Sequence, residues 1–345
     1  MKRSLFWLIL AVTGAMLLLG GCGAKEQAAQ ETASEQQASQ DFYAMDTVMN
    51  ITAYGEKADE AVQECVQYIN ELEAAISRTQ ENSEISQLND ADGEAVELSE
   101  QTADILHDAL EIAQKTEGKF DPTVASLSDL WQIGTEDAHL PEEKEIQDAL
   151  EPVGYTKVTQ DGTSVTMEPG TRIDLGGIGK GYAADHVVEI LESYDVERAI
   201  ISLGGNIYAY GSKGDGVDWK VAITDPDHEE DYLGTLSVSD TSIVTSGDYE
   251  RYFEQDGKRY CHIFDSSTGY PAETDLRSVT IVSPDSTTAD GYSTALFVMG
   301  CDKAIEFCEQ NDIEAVLVRD DHTVFVTDGI KDRFELLSTE YQYEE

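Results

Sequence analysis

One short segment of the sequence combines the residue types that a phosphate-binding site needs. Residues 174–185 read DLGGIGKGYAAD, in which four glycines and Lys180 come immediately before a helical pattern. Glycines let a backbone approach a ligand closely, and a helix N-terminus beside a lysine attracts an anion. The segment is neither a P-loop nor a dinucleotide fingerprint, because Asp174 and Tyr182 stand where those motifs need glycine. By themselves these residues fit a phosphate site and a tight turn with an exposed lysine equally well.

A second segment, residues 287–294, places oxygen-bearing side chains at helical spacing. If TTADGYST forms a helix, Thr287, Asp290 and Thr294 lie three and four residues apart on one face. One carboxylate with two hydroxyls suits Mg²⁺, which takes few protein ligands and completes its shell with phosphate oxygens and water. The competing interpretation is a capped helix whose threonines serve the cap, and the residues alone favour it.

Three further segments contain groups that a nucleotide site could use. Residues 118–124 (GKFDPTV) join a helix stop to an extended stretch before proline. Residues 202–207 (SLGGNI) end a strand in a glycine pair, where a backbone can lie against a flat ring. Residues 261–271 (CHIFDSSTGYP) contain His262. An isolated histidine after a strand is more often a structural hydrogen-bonding group than a base, so His262 alone is a weak candidate.

The charge of the chain limits which partners it can bind. Its 345 residues include 22 Lys and Arg against 69 Asp and Glu, for a formal net charge of −47. A surface this acidic repels phosphate backbones, so we expect no nucleic-acid partner. An anionic substrate would need a local exception, such as a metal ion, a helix N-terminus or a few basic side chains.

The N-terminal 40 residues predict export and attachment to a membrane. Two basic residues precede an apolar run over residues 5–19, which is the arrangement of a signal peptide spanning residues 1–21. The following LGGC resembles a bacterial lipobox, so we expect Cys22 to carry a lipid anchor that includes palmitate, on the extracytoplasmic face of the cell membrane. Residues 22–40 then predict a flexible tether. The alternative is a plain secretory signal with an incidental cysteine.

The other cysteines predict neither a metal site nor a disulfide framework, because their spacing matches no zinc pattern and no dense set of bridges. We expect mostly free, buried thiols at Cys65, Cys261, Cys301 and Cys308.

Hydrophobic periodicity predicts an α+β fold, with one large domain over residues 41–340. Runs of neighbouring strands with a few long helices indicate a largely antiparallel sheet with packed helices, not strict β-α alternation. The expected helices cover residues 61–76, about 99–116, a segment after the glycine-rich turn, and about 287–309. The expected strands cover residues 49–54, 199–203, 219–224, 233–238, 242–246, 278–282, and a closing hairpin of 314–318 and 323–326 around Asp320 and Asp321.

Taken together, these segments resemble the ApbE family of flavin transferases over about residues 42–335. The family has a T-fold-like architecture, so the resemblance implies the same fold here. Seven motifs occur in family-like order and spacing: MDT at 45–47, SEISQLN at 83–89, GKFDPTV, DLGGIGKGYAAD, ISLGGN, CHIFDSSTGYP and TTADGYSTALFVMG.

The resemblance implies an enzyme, an FAD:protein FMN transferase. Family members bind FAD with Mg²⁺, cleave its pyrophosphate, and transfer FMN to a threonine hydroxyl of an acceptor, releasing AMP. The acceptors are typically redox proteins at or near the membrane. The implied metal ligands are Asp290, Thr294 and the Gly177 carbonyl, with Thr287 a weaker candidate. The implied catalytic residues are Asp290 and the base His262. The implied FAD site consists of Met45, Lys119, Phe120, Asp121, Asp174, Lys180 and Ile263.

The sequence departs from the family pattern at Gly179, where alanine is common, and in two further places. Family members often carry an aromatic residue near FAD after the first helix, where this chain has ISRT at 76–79. The family pattern HIDPRTG is HIFDSSTG here, after Cys261. None of these departures removes an implied metal ligand, and the two at ISRT and HIFDSSTG change residues that the resemblance places around the flavin ring.

Three other functions compete with the transferase. In an FAD pyrophosphatase, water replaces threonine and the same site yields FMN and AMP. A non-catalytic flavin-binding lipoprotein would keep the FAD-lining segments but would not need the pair Asp290 and Thr294. A solute-binding lipoprotein would show two similar α/β lobes, which the second half of the sequence does not predict.

Overall fold

A computed structural model describes residues 36–344 of the chain. In this range seventeen strands and eight α-helices form the fold. The strands are β1 (Gln37–Ala44), β2 (Thr47–Tyr54), β3 (Val96–Glu97), β4 (Val158–Asp161), β5 (Ser164–Met167), β6 (Arg198–Leu203), β7 (Asn206–Tyr210), β8 (Trp219–Thr224), β9 (Tyr232–Val238), β10 (Thr241–Gly247), β11 (Tyr252–Gln255), β12 (Lys258–Cys261), β13 (Leu276–Ser283), β14 (Glu314–Arg319), β15 (Thr323–Val326), β16 (Phe334–Leu336) and β17 (Gln342–Tyr343). The helices are α1 (Ala58–Ile76), α2 (Glu84–Asp90), α3 (Glu100–Lys115), α4 (Ala125–Trp131), α5 (Glu143–Leu150), α6 (Gly179–Ser193), α7 (Ser286–Met299) and α8 (Cys301–Asn311).

A nine-stranded sheet organises the molecule, in the order β1-β2-β6-β7-β10-β13-β14-β15-β17. Every neighbouring pair is antiparallel except β15 and β17. Three smaller sheets accompany it: β16-β9-β8, β3-β5-β4 and the hairpin β11-β12. The predicted α+β fold with a largely antiparallel sheet and packed helices is confirmed.

The large sheet is covered differently on its two faces. One face packs against α1, α6 and α7, and this side holds the larger buried cluster, with Ile51 and Ile201 from the sheet beside Leu72 and Leu191 from the helices. The other face packs against β8, β9 and β16 in a second cluster. Because alternate residues of a strand point to opposite faces, both faces can be apolar within one strand.

The helix predicted over residues 287–309 is two helices. The first, α7, ends at Met299, and the second, α8, begins at Cys301. Gly300 between them has φ 79, a left-handed conformation that ends a helix and that glycine adopts without strain. The prediction was wrong because the apolar pattern continues across this glycine and conceals the break.

The domain extends beyond both of its predicted boundaries. β1 begins at Gln37, so the last residues of the predicted tether over 22–40 form a strand paired with β2. These residues include no large apolar side chain, but Ser39 and Thr52 share a hydrogen bond across the pair, with 2.7 Å between the hydroxyl oxygens. At the other end, β17 pairs with β15 past residue 340.

The predicted signal peptide over residues 1–21 and the lipidation site Cys22 lie outside the described residues. Among residues 36–344, the structure contains no helix with the length and apolar character needed to cross a membrane.

Several short elements escaped the sequence analysis, and one group of them builds a third buried cluster. The helices α4 and α5 pack with the hairpin β11-β12 around Trp131, which is fully buried. Trp131 Nε1 donates to the Gly269 carbonyl at 3.0 Å and fixes the loop that follows β12. The four cysteines of the described chain are free and buried, as predicted: Cys65, Cys261, Cys301 and Cys308.

Candidate active site

A cavity of about 1100 Å³ opens where the glycine-rich loop, α7 and the ends of the central strands meet. It collects most of the residues that the sequence singled out. Met45, Lys119, Phe120, Asp121, Asp174, Gly177, Lys180, His262, Ile263, Asp290 and Thr294 all line it. Thr287 does not. These eleven residues come from five separated motifs, which therefore form one site.

The glycine-rich loop and α7 are held together by a close helix contact at Gly181. A Cβ at this position would collide with the Ser286 carbonyl and come within 2.7 Å of the Asp290 Cβ, so only glycine fits. The Gly181 N–H donates to Asp290 Oδ2 at 2.8 Å. Lys180 Nζ lies 3.8 Å from Asp290 Oδ1. The lysine and the carboxylate are thus fixed side by side at the N-terminus of α6.

The residues around Asp290 fit a hard cation. Asp290 is 3% exposed and keeps one carboxylate oxygen for a ligand beside the cavity. A Cβ on Gly177 would lie 3.7 Å from Thr294 Oγ1 and 3.0 Å from the Phe120 ring, so the Gly177 backbone is packed against the threonine hydroxyl. A carboxylate, a hydroxyl and a backbone carbonyl are the oxygen donors that Mg²⁺ accepts. Among residues 36–344, no three His, Cys, Asp or Glu side chains form a metal cluster.

Thr287, the weaker candidate metal ligand, lies outside the cavity lining, and its polar groups are used at the start of α7. Its hydroxyl donates to Asp185 Oδ2 at 2.6 Å, and its N–H donates to the same oxygen at 2.8 Å. The Ser286 N–H donates to Asp185 Oδ1 at 2.9 Å. Asp185 therefore caps the unpaired N–H groups that begin α7. For Thr287, the capping interpretation of the motif holds.

The segment 118–124 contributes a wall held in shape by Asp121. The Asp121 carboxylate accepts from the Thr123 N–H at 2.9 Å, from the Thr123 hydroxyl at 2.6 Å and from the Tyr155 N–H at 3.0 Å. Burial raises its pKa, and these bonds oppose that rise. Asp121 thus lines the cavity but uses its oxygens to support the loop. Lys119, by contrast, is only loosely paired, with Nζ 3.6 Å from Asp265 Oδ2.

An ion-pair network at the cavity wall was missed by the sequence analysis. Arg78 Nε lies 2.9 Å from Asp174 Oδ2, and Arg78 Nη1 contacts Asp129. Arg172 Nη1 pairs with the other Asp129 oxygen at 2.5 Å. Ser128 Oγ also donates to Asp174, at 3.0 Å. These ion pairs join segments that are far apart in sequence. In the sequence, only the departure from the family pattern at ISRT drew attention to Arg78.

His262 reaches the cavity wall directly after β12. Its backbone N–H donates to the Arg251 carbonyl at 3.1 Å, whereas its ring Nδ1 is buried with no hydrogen-bond partner in the described chain. Burial, and then the charges of Arg251 and Lys180, lower the pKa of His262 to about 4. The imidazole is therefore neutral at physiological pH. Ile263 beside it is 5% exposed and gives the wall an apolar surface.

Glu250 also lines this cavity, and no motif in the sequence singled it out. Glu250 is exposed to solvent, but the protein around its carboxyl desolvates it and raises its pKa, an effect that nearby Lys180 opposes.

Comparison with known proteins identifies the family. A model of the ApbE family matches residues 45–317. A protein of Treponema pallidum named FAD:protein FMN transferase is 32% identical over 369 aligned positions, covering all of both chains. The crystal structure of the ApbE protein of Thermotoga maritima is 35% identical with a TM-score of 0.81, covering 86% of this chain and 99% of that one. The flavin transferase ApbE of Vibrio cholerae is 29% identical with a TM-score of 0.75, covering 89% of this chain and 98% of that one. This chain belongs to the ApbE family.

Proposed function

We propose that this protein transfers FMN from FAD to a threonine hydroxyl of an acceptor protein and releases AMP. The observation that carries the proposal is the single cavity in which Lys180, the Asp290 oxygen site and His262 meet. The Treponema relative, similar over its full length, is named FAD:protein FMN transferase.

The Lys180–Asp290 end of the cavity is proposed to hold the pyrophosphate of FAD. Asp290, Thr294 and the Gly177 carbonyl would hold Mg²⁺, which neutralises phosphate charge and polarises the phosphoryl group when bound. Lys180 at the N-terminus of α6 adds a positive charge beside that position. This concentration of favourable groups explains how a chain with net charge −47 could accept an anionic dinucleotide.

The rest of the cavity suits the large rings of a dinucleotide. Its volume of about 1100 Å³ slightly exceeds that of ordinary small-molecule pockets, which span roughly 300–1,000 Å³. Phe120 and Ile263 provide apolar wall, and Met45 lies in the β1–β2 turn at its edge. Arg78 offers the flat face of a guanidinium whose Nε and Nη1 are held by carboxylates. Such a surface can stack on a ring.

His262 is proposed to meet the incoming threonine hydroxyl. Its neutral imidazole lines the cavity and can exchange a hydrogen bond with that group. Its role as general base stays a prediction. A pKa of about 4 makes the ring a weak proton acceptor at neutral pH, because catalytic bases work best with a pKa near the working pH.

The location of the reaction rests on the N-terminal sequence. We propose that lipid on Cys22, including palmitate, anchors the protein to the extracytoplasmic face of the membrane. The acceptors would then be redox proteins at or near that surface. The lipobox-like LGGC after an apolar run supports this proposal.

Mass spectrometry can test the transfer. The full chain in detergent is incubated with FAD, Mg²⁺ and a candidate acceptor domain, and the acceptor's intact mass and the released nucleotide are measured. We expect an FMN adduct and an equal amount of AMP, both prevented by a chelator. Free FMN and AMP without an adduct on any acceptor tested would support the pyrophosphatase instead. Tight FAD binding with no cleavage would support a flavin-binding protein.

A further inference from the structure

Glu250 presents an unused carboxylate to the cavity. It lies in the short connection between β10 and β11 and lines the cavity. In the described chain its carboxyl makes no hydrogen bond and no ion pair within 4.0 Å. Its Oε1 lies 3.1 Å from the position that a Cβ on residue 205 would occupy, so Gly205 leaves room for the carboxylate.

Three other carboxylates that line the cavity, those of Asp121, Asp174 and Asp290, already have structural partners. Asp121 supports its loop with three bonds, and Asp174 accepts from Arg78, Ser128 and the Gly176 N–H. Asp290 accepts from Gly181 and belongs to the cation site.

Glu250 lies among charged groups of both signs. Lys180 and Arg251 are its positive neighbours, Asp290 is its negative neighbour, and the neutral Tyr249 hydroxyl has its own pKa raised by burial and by the Glu250 charge. Solvent reaches Glu250 through the cavity, yet the surrounding protein desolvates the carboxyl enough to raise its pKa. A carboxylate in such a place binds a proton more readily than an exposed glutamate.

We propose that Glu250, and not His262, accepts the proton of the acceptor threonine during FMN transfer, while His262 positions the hydroxyl. The inference rests on the proposed function. In the step, the threonine O–H bond breaks and its proton goes to a Glu250 oxygen. The threonine oxygen forms a bond to the flavin-side phosphorus, and the bond from that phosphorus to the bridging oxygen breaks. The electron pair leaves with AMP, and Glu250 later returns its proton to water.

The test compares E250Q with E254Q in the full-length protein. Glu254 is an exposed glutamate of β11 outside the cavity, and serves as the matched control. We expect E250Q to lower kcat by about 10²-fold or more, as loss of a general base does. FAD affinity, read from flavin fluorescence, and the Mg²⁺ concentration for half-maximal rate should change less than twofold. E254Q should behave like wild type.

The pH profile gives the second readout. Wild-type kcat should fall at low pH as Glu250 becomes protonated, and E250Q should lose this acid limb. E250D, which keeps a carboxylate on a shorter stem, should recover part of the rate with the limb restored. A structural role would give no such pH signature.

Two results would overturn the proposal. One is an E250Q rate equal to wild type. The other is an E250Q defect confined to FAD or Mg²⁺ affinity, which would make Glu250 a binding residue. A thermal melt separates either result from misfolding, and E250D tests the site if E250Q fails to fold. Failure of the proposed function looks different, because wild type itself would then give no FMN adduct.

Discussion

The two ends of the cavity are built in different ways. At the phosphate end, the glycine-rich loop meets α7 through backbone contacts, of which the Gly181 N–H bond to Asp290 is the centre. At the Arg78 end, side-chain ion pairs join α1, α4 and the segment before the glycine-rich loop. Backbone contacts in a packed core fix a reacting group firmly, whereas partly exposed ion pairs are weaker and depend on salt. We therefore expect changes at the phosphate end to lower turnover and changes at the Arg78 end to weaken substrate binding.

The largest effect is expected for D290N. The variant keeps the size of the side chain but removes the charge that the oxygen site needs, so kcat should fall by roughly 10³-fold or more. Rates measured across a Mg²⁺ titration check this, with E254Q as the control. A D290N enzyme with wild-type turnover would mean that this end of the cavity is not the cation site.

The helix contact should be the next most sensitive point. G181A places a methyl group against the Ser286 carbonyl and the Asp290 Cβ, and such overpacking costs about 1–3 kcal/mol. The melting temperature should fall by several degrees and turnover should fall with it, because the loop carries Lys180. E189A changes an exposed residue of the same helix, and its free energy of unfolding should lie within about 0.5 kcal/mol of the wild-type value. Equal melting of the two variants would show that the close contact is unimportant.

At the Arg78 end, R78A should raise KM for FAD about tenfold and leave kcat within twofold. The variant leaves Asp174 and Asp129 without their Arg78 partner and removes a flat surface from the cavity wall. A hydrogen bond to a charged group contributes about 1.5–3 kcal/mol, and a loss at the lower end of this range corresponds to the expected change in KM. Steady-state kinetics at saturating Mg²⁺ separate the two parameters. A loss of kcat with unchanged KM would remove the distinction between the two ends.

The smallest effect is expected for T287V, which is best compared with T294V. Thr287 bonds the helix-capping Asp185, so T287V should cost about 1 kcal/mol of stability and leave the Mg²⁺ dependence unchanged. T294V should raise the Mg²⁺ concentration for half-maximal rate, because its hydroxyl faces the proposed cation. Mg²⁺ titrations of the two variants, run side by side, test which threonine acts at the cation site. A higher Mg²⁺ requirement for T287V with no change for T294V would reverse the assignment of the two threonines.

The difference between the phosphate end and the Arg78 end of the cavity also explains which parts of the site could be predicted from the sequence. The phosphate end was predictable because Lys180, Gly177, Asp290 and Thr294 fall within two continuous motifs, and local spacing there determines geometry. Thr287 is the candidate that lies away from the cavity, and helical spacing does not show which carboxylate will cap the helix start.

The Arg78 end and Glu250 depend on tertiary contacts that one sequence does not display. Arg78 meets Asp129 across 51 positions of the chain, and Arg172 reaches the same residue from the other side in sequence. Glu250 carries no motif, and its significance lies in the cavity it faces. For the fold, the long periodic elements were predicted, whereas short helices such as α4 and the break at Gly300 were not.

A crystal structure of the full-length protein with FAD and Mn²⁺, located by its anomalous scattering, is the most direct test of the cation site and its place in FMN transfer. We expect the metal bound by Asp290, Thr294 and the Gly177 carbonyl, at about 2.0–2.2 Å, with the pyrophosphate of FAD beside Lys180. A metal bound elsewhere in the cavity, or FAD with its pyrophosphate away from Asp290, would contradict the proposed site.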